Sequence, residues 1–289
     1  MMKIFISGAS GYLGSHLVNS LSSKFKVFAL VRTGSSLDRI KKHECNVVFD
    51  EGGNSLERAF QKHKPDVVIN TAALYGRKGE ADGELLEANV GFPLRLLEYS
   101  ISYGASAFIN TGTSLPRNVS MYALTKNSFV ELVRLKKCLA TKFINLELEH
   151  FFGPGDDFSK FTSFVTRCCL QGKELKLTAG LQERDFIYVD DVVSAYDTVI
   201  SELSNIKHLE NISVGLGEAP AVRYFVEMVK RLSNSTSKLE FGAIPTRPNE
   251  LMHSCANTSR LKELGWQPSF TLEEGVAQTL EAEASGIYL

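Results

Sequence analysis

The stretch SGASGYLGSHL, residues 7–17, constrains the fold more than any other part of the chain. It follows the apolar segment KIFI and places Gly8, Gly11 and Gly14 at intervals of three before an amphipathic segment. A tight turn between a strand and a helix directs backbone N–H groups and the helix N-terminus toward a pyrophosphate. Glycine is favoured there because the backbone must pass close to the ligand and to itself. We therefore predict a dinucleotide-binding turn rather than an ordinary strand-to-helix connection.

Apolar runs alternate with amphipathic segments through the first half of the chain. The predicted strands are KIFISG, KVFALV, NVVF, DVVINTAA, SAFINTG and KFINLELEHF. Strand and helix in regular turn predict an α/β fold with a Rossmann-type, doubly wound parallel sheet. Beyond residue 150 the segment FFGPGDDFSKF has loop composition, and the pattern becomes mixed. We expect a smaller, interleaved C-terminal substrate-binding lobe there.

Charge and cysteine usage exclude several classes of protein. The 289 residues carry 32 basic and 33 acidic side chains with no long run of one sign, which predicts no nucleic-acid or membrane partner. The five cysteines, an odd number without C-x-x-C spacing, disfavour a disulfide framework and a zinc site. The six histidines form no H-E-x-x-H motif, so we expect no metal. These features favour the reduced cytoplasm and a small-molecule substrate. The cysteines are Cys45, Cys138, Cys168, Cys169 and Cys255.

The second and third strands end at residues that bear on cofactor choice. Arg32 stands where an NAD site usually carries an acidic residue, and a guanidinium there can stack on adenine and pair with a 2′-phosphate. This favours NADP(H), although an arginine at a strand end is often only solvated. Asp50 could accept a hydrogen bond from the adenine amino group, or it could open a loop. Both readings of Asp50 stay open.

The segment MYALTK places Tyr122 four residues before Lys126, on one face of a predicted helix. The pair could be a proton donor with a supporting ammonium, or two polar residues on a solvated face. The motif alone does not decide between these readings.

The order of motifs along the chain favours the catalytic reading of the Tyr122/Lys126 pair. The glycine turn, NTAA, Thr113, the Tyr122/Lys126 pair, FFGPGDD, RDFIYVDDVV and NTSRLKELGWQP occur as in the extended short-chain dehydrogenase/reductases that act on sugar nucleotides. The chain resembles that family over nearly its whole length. NTGTSLPRNVSMYALTK and KLTAGLQERDFIYVDDV, with FGAIPTRPNELMHSCAN beyond, resemble the members that form CDP-paratose and, more distantly, CDP-abequose. Those enzymes reduce the C4 ketone of a CDP-4-dehydro-3,6-dideoxyhexose with NADPH, in lipopolysaccharide O-antigen synthesis.

The resemblance implies the catalytic roles. Tyr122 would protonate the forming alkoxide, Lys126 would favour its phenolate and hold the nicotinamide ribose, and Thr113 would hydrogen-bond the substrate oxygen. Ser114 and Leu115 stand where 4,6-dehydratases carry an Asp-Glu pair, so dehydration is disfavoured. Cofactor contacts are implied for Gly8, Ser10, Gly11, Tyr12, Leu13, Gly14, Arg32, Asp50, Ala72, Ala73, Tyr122 and Lys126.

The resemblance also implies the substrate contacts. Arg184 and Arg247 would bind the diphosphate, because guanidinium groups form paired charge-assisted hydrogen bonds with phosphate. Glu250 would bind nucleotide ribose hydroxyls, and His150 would reach the sugar or phosphate. Weaker predictions place Tyr75, Lys160 and Phe161 at the base and sugar.

The expected domains are a Rossmann domain binding NADP(H) over residues 1–152 and roughly 186–216, and a sugar-nucleotide lobe over 153–185 and 217–289. A homodimer through the helices near Asn89 and Tyr122 is implied by the family. Two alternative functions stay open: a sugar-nucleotide 4-epimerase that retains its cofactor, and an NADPH-sensing regulatory protein. The regulatory protein would not need Thr113, Tyr122 and Lys126 together.

Overall fold

The computed structural model describes residues 1–40, 45–136, 140–248 and 250–286. In chain order, strands β1 to β13 span Lys3–Ser7, Lys26–Arg32, Asn46–Asp50, Val67–Asn70, Ala107–Thr113, Lys142–Leu148, His150–Phe152, Leu175–Leu177, Glu183–Arg184, Phe186–Tyr188, Glu210–Val214, Leu239–Phe241 and His253–Ser254. Helices α1 to α10 span Tyr12–Leu21, Ser55–His63, Asp82–Leu86, Phe92–Ser102, Met121–Leu135, Phe161–Leu170, Val189–Ser201, Val222–Leu232, Ser259–Glu263 and Leu272–Ser285. A π-helical turn, Glu87–Gly91, joins α3 to α4, and a short 3₁₀ helix spans Leu203–Asn205.

Seven strands form one parallel sheet in the order β11-β6-β5-β4-β1-β2-β3. The chain runs outward from β1 in one direction through β2 and β3, and in the other through β4, β5, β6 and β11. This confirms the predicted Rossmann-type, doubly wound architecture. Ser7 pairs with Asn70 and Asn70 with Asn110, so the carboxyl ends of β1, β4 and β5 lie side by side. Ligands of such sheets bind beyond these ends.

The predicted strand KFINLELEHF divides in two. β6 ends at Leu148, and β7 begins at His150, where the chain pairs with β10 instead of continuing in the large sheet. The Glu149 amide donates to Val214 O and the His150 amide donates to Asp185 O. The backbone polar groups therefore change partners at this point, which a run of alternating residues does not reveal.

Aromatic side chains fill the core on one side of the sheet. Phe5 meets Phe60 of α2 edge to face at 5.2 Å between ring centroids, and Phe108 stacks on Phe143 at 5.8 Å. Phe129 of α5 packs into the same cluster. Each fully buried phenylalanine stabilises the fold by about 1.5–3 kcal/mol. This packing holds α5 firmly against the strands, and α5 carries Tyr122 and Lys126.

A row of buried polar side chains, here called the amide ladder, crosses four strands of the sheet. Ser7 Oγ donates to Asn70 Oδ1 at 2.8 Å, Asn70 Nδ2 to Asn110 Oδ1 at 3.0 Å, and Asn110 Nδ2 to Asn145 Oδ1 at 2.8 Å. Gly112 leaves room for it, because a Cβ there would lie 2.6 Å from Asn145 Oδ1. Buried amides are costly unless paired, so the ladder fixes the strand register.

Two compact units make up the chain. One comprises Met1–Glu147 with Tyr196–Ile212, and the other Leu148–Ala195 with Ser213–Leu289. The expected assignment of ligands to domains stays a prediction, since compactness does not identify a ligand.

Among the helices of the described residues, none has both the length and the apolar character needed to cross a membrane. Cys138 lies outside the described residues, and the other four cysteines carry free thiols.

Candidate active site

The glycine turn between β1 and α1 leaves no room for a Cβ at Gly8 or Gly14 and little room for one at Gly11. Gly8 has φ +68°, and a Cβ there would lie 2.7 Å from Ala72 N. A Cβ on Gly14 would lie 2.2 Å from Gly8 O, and one on Gly11 would lie 3.0 Å from the same oxygen. The Gly11 amide donates to Gly8 O at 2.9 Å, which closes the turn. The spacing seen in the sequence thus reflects three separate steric requirements.

Helix α1 begins directly after this turn and has no side chain capping its N-terminus. Its first-turn N–H groups can therefore accept an anionic ligand, with the positive end of the helix dipole behind them. Tyr12 and Leu13 are buried at the start of this helix, whereas Ser10 is half-buried in the turn. The cradle of glycine backbone and free helix amides fits the pyrophosphate of a dinucleotide.

Arg32 and Asp50 are cross-strand neighbours at the ends of β2 and β3. The Arg32 side chain is exposed. Asp50 Oδ1 accepts hydrogen bonds from Ser55 Oγ at 2.7 Å and from the Gly52 amide at 3.1 Å. Asp50 therefore opens a loop, as one of its two readings predicts, while Arg32 is available to a ligand at this edge.

The loop after β4 carries Ala72 and Ala73 beside the glycine turn. Asn89 Oδ1 accepts from the Leu74 amide at 2.9 Å, and Asn89 Nδ2 donates to Leu74 O at 2.9 Å and to Thr125 Oγ1 at 3.0 Å. Asn89 is 1% exposed, in the π-helical turn. One side chain thus fastens this loop to α5. Sequence reasoning missed this function of Asn89; its only local sign is a polar residue within an apolar segment.

Thr113, Tyr122 and Lys126 occupy the adjoining ends of β5 and α5. Ser120 begins the helix, with its Oγ accepting from the Ala123 amide at 3.1 Å. Thr113 is the last residue of β5, and its side chain acts on the Tyr122 phenol, whose pKa it lowers. Lys126 is only 3% exposed, so the solvated-face reading of the motif is wrong. Among the described residues none hydrogen-bonds or ion-pairs with the Lys126 ammonium, which leaves its donors for a ligand.

Burial governs the ionisation of both helix residues. It lowers the pKa of the Lys126 ammonium to about 8. Burial also raises the pKa of the Tyr122 phenol well above 10, and Tyr75 adds to that rise. Arg77 and the Thr113 hydroxyl lower that pKa, in opposition to burial. The resemblance implies that Lys126 together with an oxidised nicotinamide favours the phenolate, which stays a prediction; among the protein's own residues, loss of water outweighs nearby positive charge and raises the Tyr122 pKa. Tyr122 is held as a neutral phenol, which can donate a proton.

Two of the residues predicted to bind substrate form an ion pair in the second unit. Arg184 Nη2 lies 2.8 Å from Glu250 Oε1, and Arg184 Nη1 donates to Glu183 O at 2.8 Å. Burial lowers the pKa of Arg184, which Glu250 and Glu149 partly offset. Buried Glu149 accepts the Ser254 hydroxyl at 2.8 Å. Glu149 is a carboxylate that sequence reasoning missed, since it reads as part of a strand.

The other predicted substrate residues are half-buried or exposed. His150 Nδ1 lies 3.4 Å from Glu149 Oε2, and Lys160 Nζ lies 2.8 Å from Asp156 Oδ2. The Lys160 ammonium is also 4.1 Å from the centre of the Phe151 ring. Phe161 is 38% exposed at the start of α6, and Arg247 is exposed on the loop before Glu250. Their substrate roles stay predictions.

Comparison with known proteins gives the family. The sequence matches the NAD dependent epimerase/dehydratase family over residues 4–215. The chain belongs to this family. Membership of this family indicates a nicotinamide cofactor, which agrees with the cradle of glycine backbone and free helix amides. A CDP-abequose synthase of Salmonella typhimurium is 33% identical, over 96% of this chain and 97% of that protein. A second, of Yersinia pseudotuberculosis, is 26% identical over 87% of this chain and 91% of that protein.

Solved structures of the same architecture extend over the whole chain. UDP-glucose 4-epimerase of Thermotoga maritima, solved with UDP-glucose, matches with a TM-score of 0.87 over 99% of this chain and 100% of that one. The identity is 24%, so the likeness establishes the fold alone.

Proposed function

We propose that the protein is an NADPH-dependent C4 ketoreductase of a CDP-4-dehydro-3,6-dideoxyhexose, forming CDP-paratose in the cytoplasm for O-antigen synthesis. The observation that carries the proposal is the placement of Tyr122 and the buried Lys126 one turn apart on α5, with Thr113 close enough to Tyr122 to lower the pKa of its phenol. A neutral tyrosine at the end of a parallel sheet suits protonation of a reduced carbonyl oxygen. The similarity to CDP-abequose synthases supports a CDP-linked dideoxyhexose as substrate.

Each catalytic residue has a distinct task. The Thr113 hydroxyl orients the substrate C4 oxygen, and Tyr122 donates its proton to that oxygen as the carbonyl becomes an alcohol. The electron pair of the broken O–H bond stays on Tyr122 until solvent restores the proton. Lys126 holds the nicotinamide ribose and stabilises the transient phenolate. When bound, the reduced nicotinamide supplies the hydride that C4 receives.

We assign the residues that bind cofactor and substrate from the charges of their side chains. The exposed Arg32 guanidinium favours a 2′-phosphate, and Asp50 on the next strand is already committed to its own loop. We assign Arg184 and Arg247 to the diphosphate and Glu250 to the nucleotide ribose. The Arg184–Glu250 ion pair then keeps the guanidinium partnered until phosphate arrives. A homodimer through the helices near Asn89 and Tyr122 completes the proposal.

The test is reduction of enzymatically prepared CDP-4-dehydro-3,6-dideoxyglucose, followed by loss of NADPH absorbance and by NMR of the product. Stoichiometric NADPH oxidation with CDP-paratose as product supports the proposal. Formation of CDP-abequose, the C4 epimer, would support the ketoreductase assignment but show that hydride reaches the opposite face of C4. Interconversion of sugar nucleotides without net NADPH use would indicate an epimerase, and binding of NADPH without turnover would indicate a regulatory protein.

Cofactor preference is tested separately. The unmodified protein should show a much higher kcat/KM with NADPH than with NADH, and Arg32→Asp should reverse the preference. Equal use of both cofactors by the unmodified protein would remove Arg32 from the 2′-phosphate site.

A further inference from the structure

The ring of Tyr75 lies nearly parallel to the ring of Tyr122. The two centroids are 4.8 Å apart and the planes meet at 23°. The guanidinium carbon of Arg77 lies 5.2 Å from the centroid of Tyr75. We call Arg77, Tyr75 and Tyr122 the aromatic stack. Offset parallel rings and a cation over a ring are both favourable arrangements.

The backbone holds the aromatic stack in place. Leu74, next to Tyr75, is fastened by two hydrogen bonds to Asn89, and Asn89 donates in turn to Thr125 Oγ1. The Thr125 hydroxyl donates to Tyr122 O at 3.0 Å. Gly76 has φ +70°, a conformation that favours glycine, and it turns the chain between Tyr75 and Arg77. The spacing between the loop and α5 is therefore fixed by buried groups.

Charged and titratable groups face the Tyr122 hydroxyl from several elements. Thr113 acts on the pKa of Tyr122 from β5, Tyr75 and Arg77 act from the loop after β4, and Tyr196 acts from α7. Lys126 lies one turn along α5. Arg77 is a cation that lowers the pKa of Tyr122, in opposition to burial. Tyr75 is 38% exposed and covers a face of the Tyr122 ring, which leaves the hydroxyl edge to Thr113 and substrate.

We propose that Tyr75 and Arg77 are positioning residues that act through Tyr122: the Tyr75 ring fixes the plane of the phenol, and the Arg77 cation stabilises the charge left when the proton departs. This rests on the proposed function of Tyr122 as proton donor. During reduction the O–H bond of Tyr122 breaks, its proton goes to the C4 oxygen, and its electron pair remains on the phenolate. Nothing in the step requires contact between Arg77 and the sugar.

The test uses the full chain with a ring-difluorinated tyrosine incorporated at position 122 alone. Fluorination makes the phenol acidic enough to titrate while the protein is folded, and fluorine NMR then gives a single reporter. Arg77→Met should raise the titration midpoint by about half a pH unit, because a nearby positive charge is lost. Arg77→Lys should restore most of that shift. Arg58→Met, which removes an exposed arginine on α2, is the matched control and should leave the midpoint unchanged.

The stack itself has a separate readout. Tyr75→Ala should move the fluorine resonance of the protonated phenol, because a ring current is removed, whereas Tyr75→Phe should preserve its position. An Arg77→Met midpoint equal to that of Arg58→Met, or a resonance unmoved by Tyr75→Ala, would overturn the proposal. Both measurements need no substrate, so they remain decisive even if the ketoreductase assay fails. In that assay, Arg77→Met should lower kcat roughly two- to fourfold with KM unchanged.

Discussion

Tyr122 and Lys126 lie one turn apart on α5, and burial shifts the pKa of each toward its uncharged form. For the catalytic roles proposed above, such a pair trades stability for reactivity. The phenol keeps the proton that the proposed reaction requires, and no described residue supplies hydrogen bonds to the ammonium. The cost of burying the ammonium should be measurable in the protein alone.

Lys126→Met should stabilise the protein at neutral pH. A lysine whose pKa falls from 10.5 to about 8 on folding destabilises the fold fully below pH 8, and the penalty disappears as pH rises toward 10.5. The variant should therefore gain up to about 3 kcal/mol in free energy of unfolding at pH 7, and almost nothing at pH 10.5. Urea unfolding across this range measures the difference. Exposed Lys262→Met is the control, and a gain that does not vary with pH would contradict the assigned pKa.

Tyr122→Phe should lower kcat by about 10²- to 10⁴-fold while leaving folding and NADPH affinity nearly unchanged, because only the proton donor is lost. Thr113→Val should also lower kcat and spare cofactor affinity. Single-turnover reduction of a 4-keto sugar nucleotide, with NADPH binding measured by fluorescence, separates the two quantities. Tyr224→Phe, at a 53% exposed position of α8, is the matched control. Parental rates for Tyr122→Phe would assign the proton to another group.

Gly14→Ala should abolish NADPH binding, because its Cβ would lie 2.2 Å from Gly8 O and force the turn open. Overpacking of this kind costs about 1–3 kcal/mol in stability as well. Gly83→Ala in α3 is the control, since nothing lies within 4 Å of its Cβ. Calorimetric titration with NADPH compares the two, and normal binding by Gly14→Ala would disprove the role of the turn.

Glu250→Gln should lower the free energy of unfolding by about 1–2 kcal/mol, because the 6% exposed Arg184 loses a charged partner. A double-mutant cycle with Arg184→Met isolates the pair from its surroundings. The expected coupling is favourable. A coupling near zero would mean that the Glu183 carbonyl and Glu149 satisfy Arg184 without Glu250.

Local sequence patterns predict the central sheet and the glycine turn of this protein well. The glycine spacing and the strand–helix alternation reflect contacts between residues near in sequence, so the doubly wound sheet and the βα turn are readable from the chain itself. The Tyr122/Lys126 spacing is likewise a property of one helix.

Features that depend on contacts between distant residues could not be predicted from local sequence patterns. The stacking of Tyr75 on Tyr122, the fastening of the β4 loop by Asn89 and the burial of Glu149 each join segments far apart in the sequence. The rise in the Tyr122 pKa could not be predicted for the same reason, since desolvation depends on everything that surrounds the ring. The division of KFINLELEHF into two strands depends on partners near residues 185 and 214.

The amide ladder gives the three loops of the site a common origin. Ser7, Asn70 and Asn110 sit at matched heights on β1, β4 and β5, a short distance before the glycine turn, the Ala72 loop and Thr113. A slip of one residue in any of these strands would turn its polar side chain to the opposite face and leave the neighbouring polar groups unpaired. The positions of the three loops relative to one another are therefore set by buried hydrogen bonds within the sheet. Substitutions on the surface helices should leave that alignment unchanged.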